Sequence, residues 1–135
     1  MKYTILVVLE DSRHSLKAVK RAGFLASQIS EAVVRLLYVY PLNNLDARAG
    51  DYQTLLKKES AEVLNSAKTY LERLNISYEE QVCIGNLTQE ISIAVQKKQC
   101  DMVVLNYTSL QIYQELMCKV DCPVLVVPDT REEVS

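Results

Sequence analysis

The chain has 135 residues, 49% hydrophobic and 24% charged, the balance of one globular domain long enough to bury a core without staples. Fifteen basic against 17 acidic residues give a net charge of −2, and no long basic block is present, which leaves a nucleic-acid role without electrostatic support. No apolar run approaches the roughly 20 residues of a membrane span, the first apolar segment is too short for a signal peptide, and the four scattered cysteines form no CxxC pair. The expectation is a soluble, cytoplasmic protein with reduced thiols and no membrane contact.

Tyr3–Leu9 (YTILVVL) is a continuous apolar, β-branched run, the pattern of a strand buried on both faces. Asp11 and Ser12 supply capping chemistry, and Leu16, Val19, Gly23, Ala26 and Ile29 recur at helical spacing, predicting a first helix to about Ser30. Ala32–Tyr40 is a second strand, stopped by Pro41, and the stretch PLNNLDARAG reads as a loop. Asp51–Leu74 is a long helix with Leu56, Val63, Leu64, Ala67, Leu71 and Leu74 inward and Lys57, Lys58, Glu62, Lys68 and Glu72 solvated. Ser77–Ile84 is a third strand, which Glu79 and Glu80 place at a sheet edge. After Gly85, Asn86 with Gln89 forms a capping box for a third helix carrying Leu87, Ile91, Ala94 and Val95. Met102–Leu105 is a short buried strand. Thr108 with Gln111 repeats the capping logic for a fourth helix, expected to bury Ile112, Leu116, Met117 and Val120. Val124–Val127, between Pro123 and Pro128, is the last strand. Residues 1–128 are thus expected to be one domain, followed by a polar tail at 129–135.

Strict alternation of strand and helix predicts an α/β fold, a single-domain doubly wound parallel sheet of five strands. Ligands in such Rossmann-like sheets bind at the carboxyl ends of strands where the winding reverses, so the residues after strands one and four are the first to inspect. An acidic pair after ILVV suggests a phosphorylated receiver domain. A receiver needs an aspartate ending its third strand and a lysine before proline ending its fifth; here those strands end Cys83-Ile84-Gly85 and Val126-Val127-Pro128, which rejects that reading.

ILVVLEDSRHSLKAV, from Ile5, resembles the opening of universal stress proteins and places Ser12, Ser15 and Ala18 on family positions. Gly85 to Ile91 resembles the family's start of the third helix, CDMVVL its fourth strand with Asp101 on the family aspartate, and CPVLVVP, residues 122–128, its ending. The resemblance spans nearly the whole chain and implies strand order 3-2-1-4-5.

Many members of that family bind ATP through G-x2-G-x9-G-(S/T) after the fourth strand, because glycines let backbone N–H groups approach phosphate and the next helix adds its positive end. Only 20 residues separate Asp101 from Cys122, and that loop is missing from them; Leu110 and Gln111 fall where its last Gly-Ser would lie, and Asn106 where the strand-ending glycine would be. The family aspartate ending strand one aligns with Glu10, and the next position, usually glycine, is Asp11. Two carboxylates there repel a polyanion. The resemblance is therefore to the branch without ATP, which includes universal stress protein A. No cofactor, no metal set and no catalytic residue is expected.

The crevice candidates are Glu10, Asp11, Ser12, Asn106, Thr108 and Ser109, which could hold a small ligand or anion through hydroxyls and N–H groups. The plainer reading of the last three is helix capping, and of Glu10 and Asp11 solvated carboxylates favouring a helix N-terminus. His14, the sole histidine, stands between Arg13 and Ser15 without a positioned partner and reads as an exposed helix start. Cys118 and Cys122 could form a redox pair, but Asp121 and Pro123 place the end of the helix between them. By resemblance the chain is a stress-response accessory or regulatory protein, not an enzyme, acting through a homodimer on the Val124, Leu125, Val126 and Val127 edge and through an unidentified protein partner. An adenine-nucleotide or small-ligand module and a thiol redox sensor are the rivals.

Overall fold

The computed structural model describes residues 2–9, 12–41, 52–106 and 110–128. Five strands alternate with four helices: β1 (Tyr3–Leu9), α1 (Ser12–Ser27), β2 (Ala32–Pro41), α2 (Tyr52–Arg73), β3 (Ser77–Gly85), α3 (Leu87–Lys98), β4 (Met102–Asn106), α4 (Leu110–Lys119) and β5 (Val124–Val127). The strands form one parallel sheet in the order β3-β2-β1-β4-β5, as expected.

The unbroken apolar run of β1 is explained by cover on both faces. Ile5, Val7 and Leu9 join Val34, Leu36 and Tyr38 against α1 and α2, where Ala18, Val19, Ala22, Val63, Leu64 and Leu71 close the layer. Leu6 and Val8 join Leu37, Val39, Val103 and Leu105 against Ile91, Ala94 and Val95 of α3 and Leu116 of α4. Each fully buried aliphatic side chain contributes about 1.5–3 kcal/mol. α1 packs tightly on α2 at Gly23, where a Cβ would stand 2.9 Å from Tyr70 Cε2 and 3.4 Å from Leu74 Cδ1.

Several expectations need correction. α1 ends at Ser27, not near Ser30: the Ser27 hydroxyl donates to the Phe24 carbonyl at 2.6 Å, the Gln28 and Ile29 N–H groups reach only three residues back, and Glu31 turns the chain at φ 59°. α2 ends at Arg73, and Leu74, expected inside, sits in the following turn and is 41% exposed. Met117, also expected inside, is 55% exposed, because the inward stripe runs through Ile112 and Leu116 of α4 and on to Val120 just past its end, and a residue one step from Leu116 is rotated about 100° away. Lys68 is not simply solvated; its Nζ lies 2.8 Å from Glu80 Oε2 and ties α2 to β3. The Asn86 cap holds, with Oδ1 accepting from the Gln89 N–H at 3.0 Å. The side chains of Leu56, Lys57 and Lys58 lie outside the described residues, as do 42–50 and the tail.

Candidate functional site

β1 pairs with β2 on one side and β4 on the other, so the winding reverses between β1 and β4. Ile5 stands opposite Met102 and Val7 opposite Val104, which brings the strand ends Leu9 and Asn106 to the same edge of the sheet. Leu9 is fully buried, and Asn106 is half-buried beside Val127 of β5. Glu10 and Asp11 follow β1 in sequence and Thr108 and Ser109 follow β4; all four lie outside the described residues. Ser12 opens α1, its side chain outside them too, as is that of His14. The fold thus brings the two strand ends together where the winding reverses, and Asn106 is the one candidate whose side chain is placed. β4 ends at Asn106 and α4 begins at Leu110, so the connection spans three residues, Tyr107, Thr108 and Ser109, none of them glycine.

Asp101, on the family aspartate position, lies at the opposite end of the sheet. Its Oδ2 accepts from the Thr4 N–H at 2.8 Å, and its own N–H donates to the Thr4 carbonyl at 2.8 Å. Two bonds to one residue fasten the start of β1 beside β4, an architectural role that sequence spacing did not disclose.

The four cysteines are free thiols. Burial pushes the Cys83 thiol up to about 12, helped by the negative charge of Glu90 and a hydrogen bond to it. Burial likewise raises Cys100 to about 11, with Cys122 adding to the effect and Arg35 opposing it. Cys122 is raised by burial and then by Asp121. Cys118 is exposed on α4, and that helix ends at Lys119, between Cys118 and Cys122, as expected. A thiolate is the reactive form, so raised values slow oxidation of three of the four. Among the described residues no group of three His, Cys, Asp or Glu side chains could hold a metal ion, and no helix is long and apolar enough to cross a membrane.

One feature escaped the sequence reading. A cleft of about 360 Å³ lies between α1 and α2, lined by Lys20, Ser66, Thr69, Tyr70 and Arg73 among others. Asn106, the crevice candidate whose side chain is described, does not line it. Its signal in the sequence is that α1 carries no acidic residue at all.

Residues 1–128 match the profile of the universal stress protein family. The chain belongs to that family. No curated protein matches the sequence. Among solved structures, the universal stress protein fold is similar to the hypothetical protein MJ0577, with a TM-score of 0.81, 18% identity and cover of 96% of this chain and 97% of that one. Universal stress protein UspA from Lactobacillus plantarum superposes at TM-score 0.73 and 20% identity over 93% of this chain and 97% of its own. A universal stress protein family protein from Arabidopsis thaliana with AMP bound gives 0.73 and 15%, covering 98% of this chain and 95% of that one. At these identities the likeness shows the fold of this universal stress protein and leaves its ligand to its own residues.

Proposed function

We propose that this universal stress protein is a cytoplasmic stress-response accessory or regulatory protein of the branch that does not bind ATP. It acts through a homodimer and contacts with another protein, and carries out no chemical step. The observation that supports this most is the three-residue, glycine-free connection from Asn106 to Leu110. Holding a triphosphate needs several backbone N–H groups converging on one anion, and glycines are what let the backbone come that close. The carboxylates of Glu10 and Asp11, next in sequence after β1, oppose a polyanion further.

A second reading, a module for adenine nucleotide or another small ligand at the β1/β4 crevice, draws support from the AMP-bound Arabidopsis relative. A monophosphate needs fewer N–H donors than a triphosphate, and Asn106 with the Thr108 and Ser109 hydroxyls could supply some of them. A thiol redox role draws little support, since burial raises Cys83, Cys100 and Cys122. Calorimetric titration separates the first two readings. ATP with magnesium should give no binding heat up to millimolar nucleotide; a micromolar dissociation constant for ATP would sink the proposal, and one for AMP alone would establish the second reading.

A further inference from the structure

We infer that the seam between α1 and α2 is a docking groove for a protein segment that presents carboxylates beside an apolar side chain. The inference deepens the protein-contact reading above and rests on it. Both charged side chains lining the cleft, Lys20 on α1 and Arg73 on α2, are cationic. Among the described residues neither has an ion-pair partner.

The charge carried by α1 has the same sign. α1 contains Arg13, Lys17, Lys20 and Arg21 and no acidic residue, in a chain whose net charge is −2. Glu72, next to Arg73, is engaged by the Tyr78 hydroxyl of β3. Glu62 lies 11 residues before Arg73 on α2, roughly 16 Å away along the helix, and one turn from Ser66, so its carboxylate stands at the far end of the cleft from Arg73. Hydroxyls of Ser66 and Thr69 add neutral donors between the cations.

The apolar end comes from packing. Gly23 has no side chain to fill the seam, so Tyr70 and Leu74 close on the α1 backbone there. Phe24, the next residue, is one turn beyond Lys20 on the same helix face. Phe24 is 55% exposed, and it and Leu74 are two of the three exposed large apolar side chains among the described residues. Large apolar side chains gathered beside an open cleft mark interaction surfaces. A strip that is cationic in the middle and apolar at one end is complementary to an acidic segment with an apolar anchor.

The test uses two blocked synthetic peptides, one alternating glutamate with leucine and one alternating lysine with leucine, titrated into the full chain and followed by the shifts of its backbone amides. The glutamate peptide should move the amides of Lys20–Phe24 and Ser66–Leu74, and the lysine peptide should leave them in place. The double variant Lys20→Glu, Arg73→Glu should weaken binding at least about tenfold, and Phe24→Ser should weaken it by a smaller factor. These side chains are exposed, and circular dichroism checks that each variant is folded; Lys20→Ala gives a milder second variant expected to fall between. No shift at the seam at millimolar peptide, equal binding of the lysine peptide, or unchanged affinity in the double variant would overturn the inference. So would a glutamate–serine peptide or tripolyphosphate that binds as tightly, since the groove would then be a plain anion patch. Nucleotide binding is read in the same spectra at the ends of β1 and β4, so the earlier proposal can fail there without touching the result at the seam.

Discussion

Asp101 shows how much one side chain can settle. It exchanges two hydrogen bonds with Thr4 at the point where β1 enters the sheet beside β4. Asp101→Ala should therefore destabilise the chain by about 1 kcal/mol in urea denaturation, below the usual range for a charged acceptor because the residue is exposed. Asp101→Asn, which keeps an acceptor, should recover most of the loss, and equal losses in both variants would show that the charge, not the bond, matters. The thiols give a second residue-scale expectation. Cys118 should react first with a thiol reagent near pH 8, with Cys83 and Cys100 lagging until the chain unfolds. The sign for stability follows from linkage. A thiol held up to about 12, as Cys83 is, stays protonated in the folded chain where the unfolded chain has ionised. That contribution is whole below the ordinary value of 9.0 and is lost as pH climbs from there towards about 12. Cys83→Ala should flatten this alkaline decline, and an unchanged slope would remove Cys83 as a contributor.

Among the elements, β3 is where sequence and structure are most instructive together. Glu79 and Glu80 read correctly as marks of an edge, but their partners were hidden. Glu80 reaches Lys68 of α2 on one face, and Glu79 meets Arg35 of β2 on the other, where Gln81 also accepts from Arg35 Nη2 at 3.0 Å. Arg35 is only 7% exposed, and its Nε finds no partner. A buried charge with one unmet donor is costly to keep, and shape contributes much of what the side chain gives. Arg35→Ala should cost about 2–3 kcal/mol by leaving a void where the buried side chain packs, whereas Arg35→Met, which fills that space while the exposed Glu79 turns to water, should cost less than about 1 kcal/mol. Equal losses would mean that the ion pair itself is strongly stabilising. Strand identity and order were legible because buried β-branched runs alternate with helical periods. Helix ends were not, since Glu31, Asn75 and Gln99 take the left-handed turns at φ 59°, 60° and 51°, and none is the glycine that would have announced a stop. Met117 was misread because it sits next to Leu116 and apolar character cannot say which of two neighbours faces in. That the ends of β1 and β4 meet was legible from topology alone; the α1/α2 cleft was not, because its lining comes from residues 45 to 57 apart in sequence on two helices set side by side.

At the scale of the whole molecule the open question is the free edge at β5. β5 pairs with β4 through Val103–Val124 to Asn106–Val127, and no strand among the described residues covers its other side. Val124, Leu125 and Val126 are half-buried and Val127 is buried, with no charge between the flanking prolines. The strand's two faces serve different layers, Leu125 and Val127 against the α1 and α2 side and Val124 against the α3 and α4 side. Val126 belongs to neither cluster, and is the position where a substitution disturbs the monomer's own core least. An uncharged, apolar edge of this kind invites pairing with another chain. A twofold contact would use the same patch on both subunits. Four residues between prolines allow few backbone bonds, so apolar side chains must supply much of the association. The expected outcome is a homodimer of about twice 15.3 kDa by light scattering at tens of micromolar. Val126→Lys, checked by circular dichroism for retained fold, should shift the mass towards the monomer, because two such lysines would meet across the twofold axis. A monomeric wild type, or a folded Val126→Lys protein that stays fully dimeric, would rule out this edge as the interface.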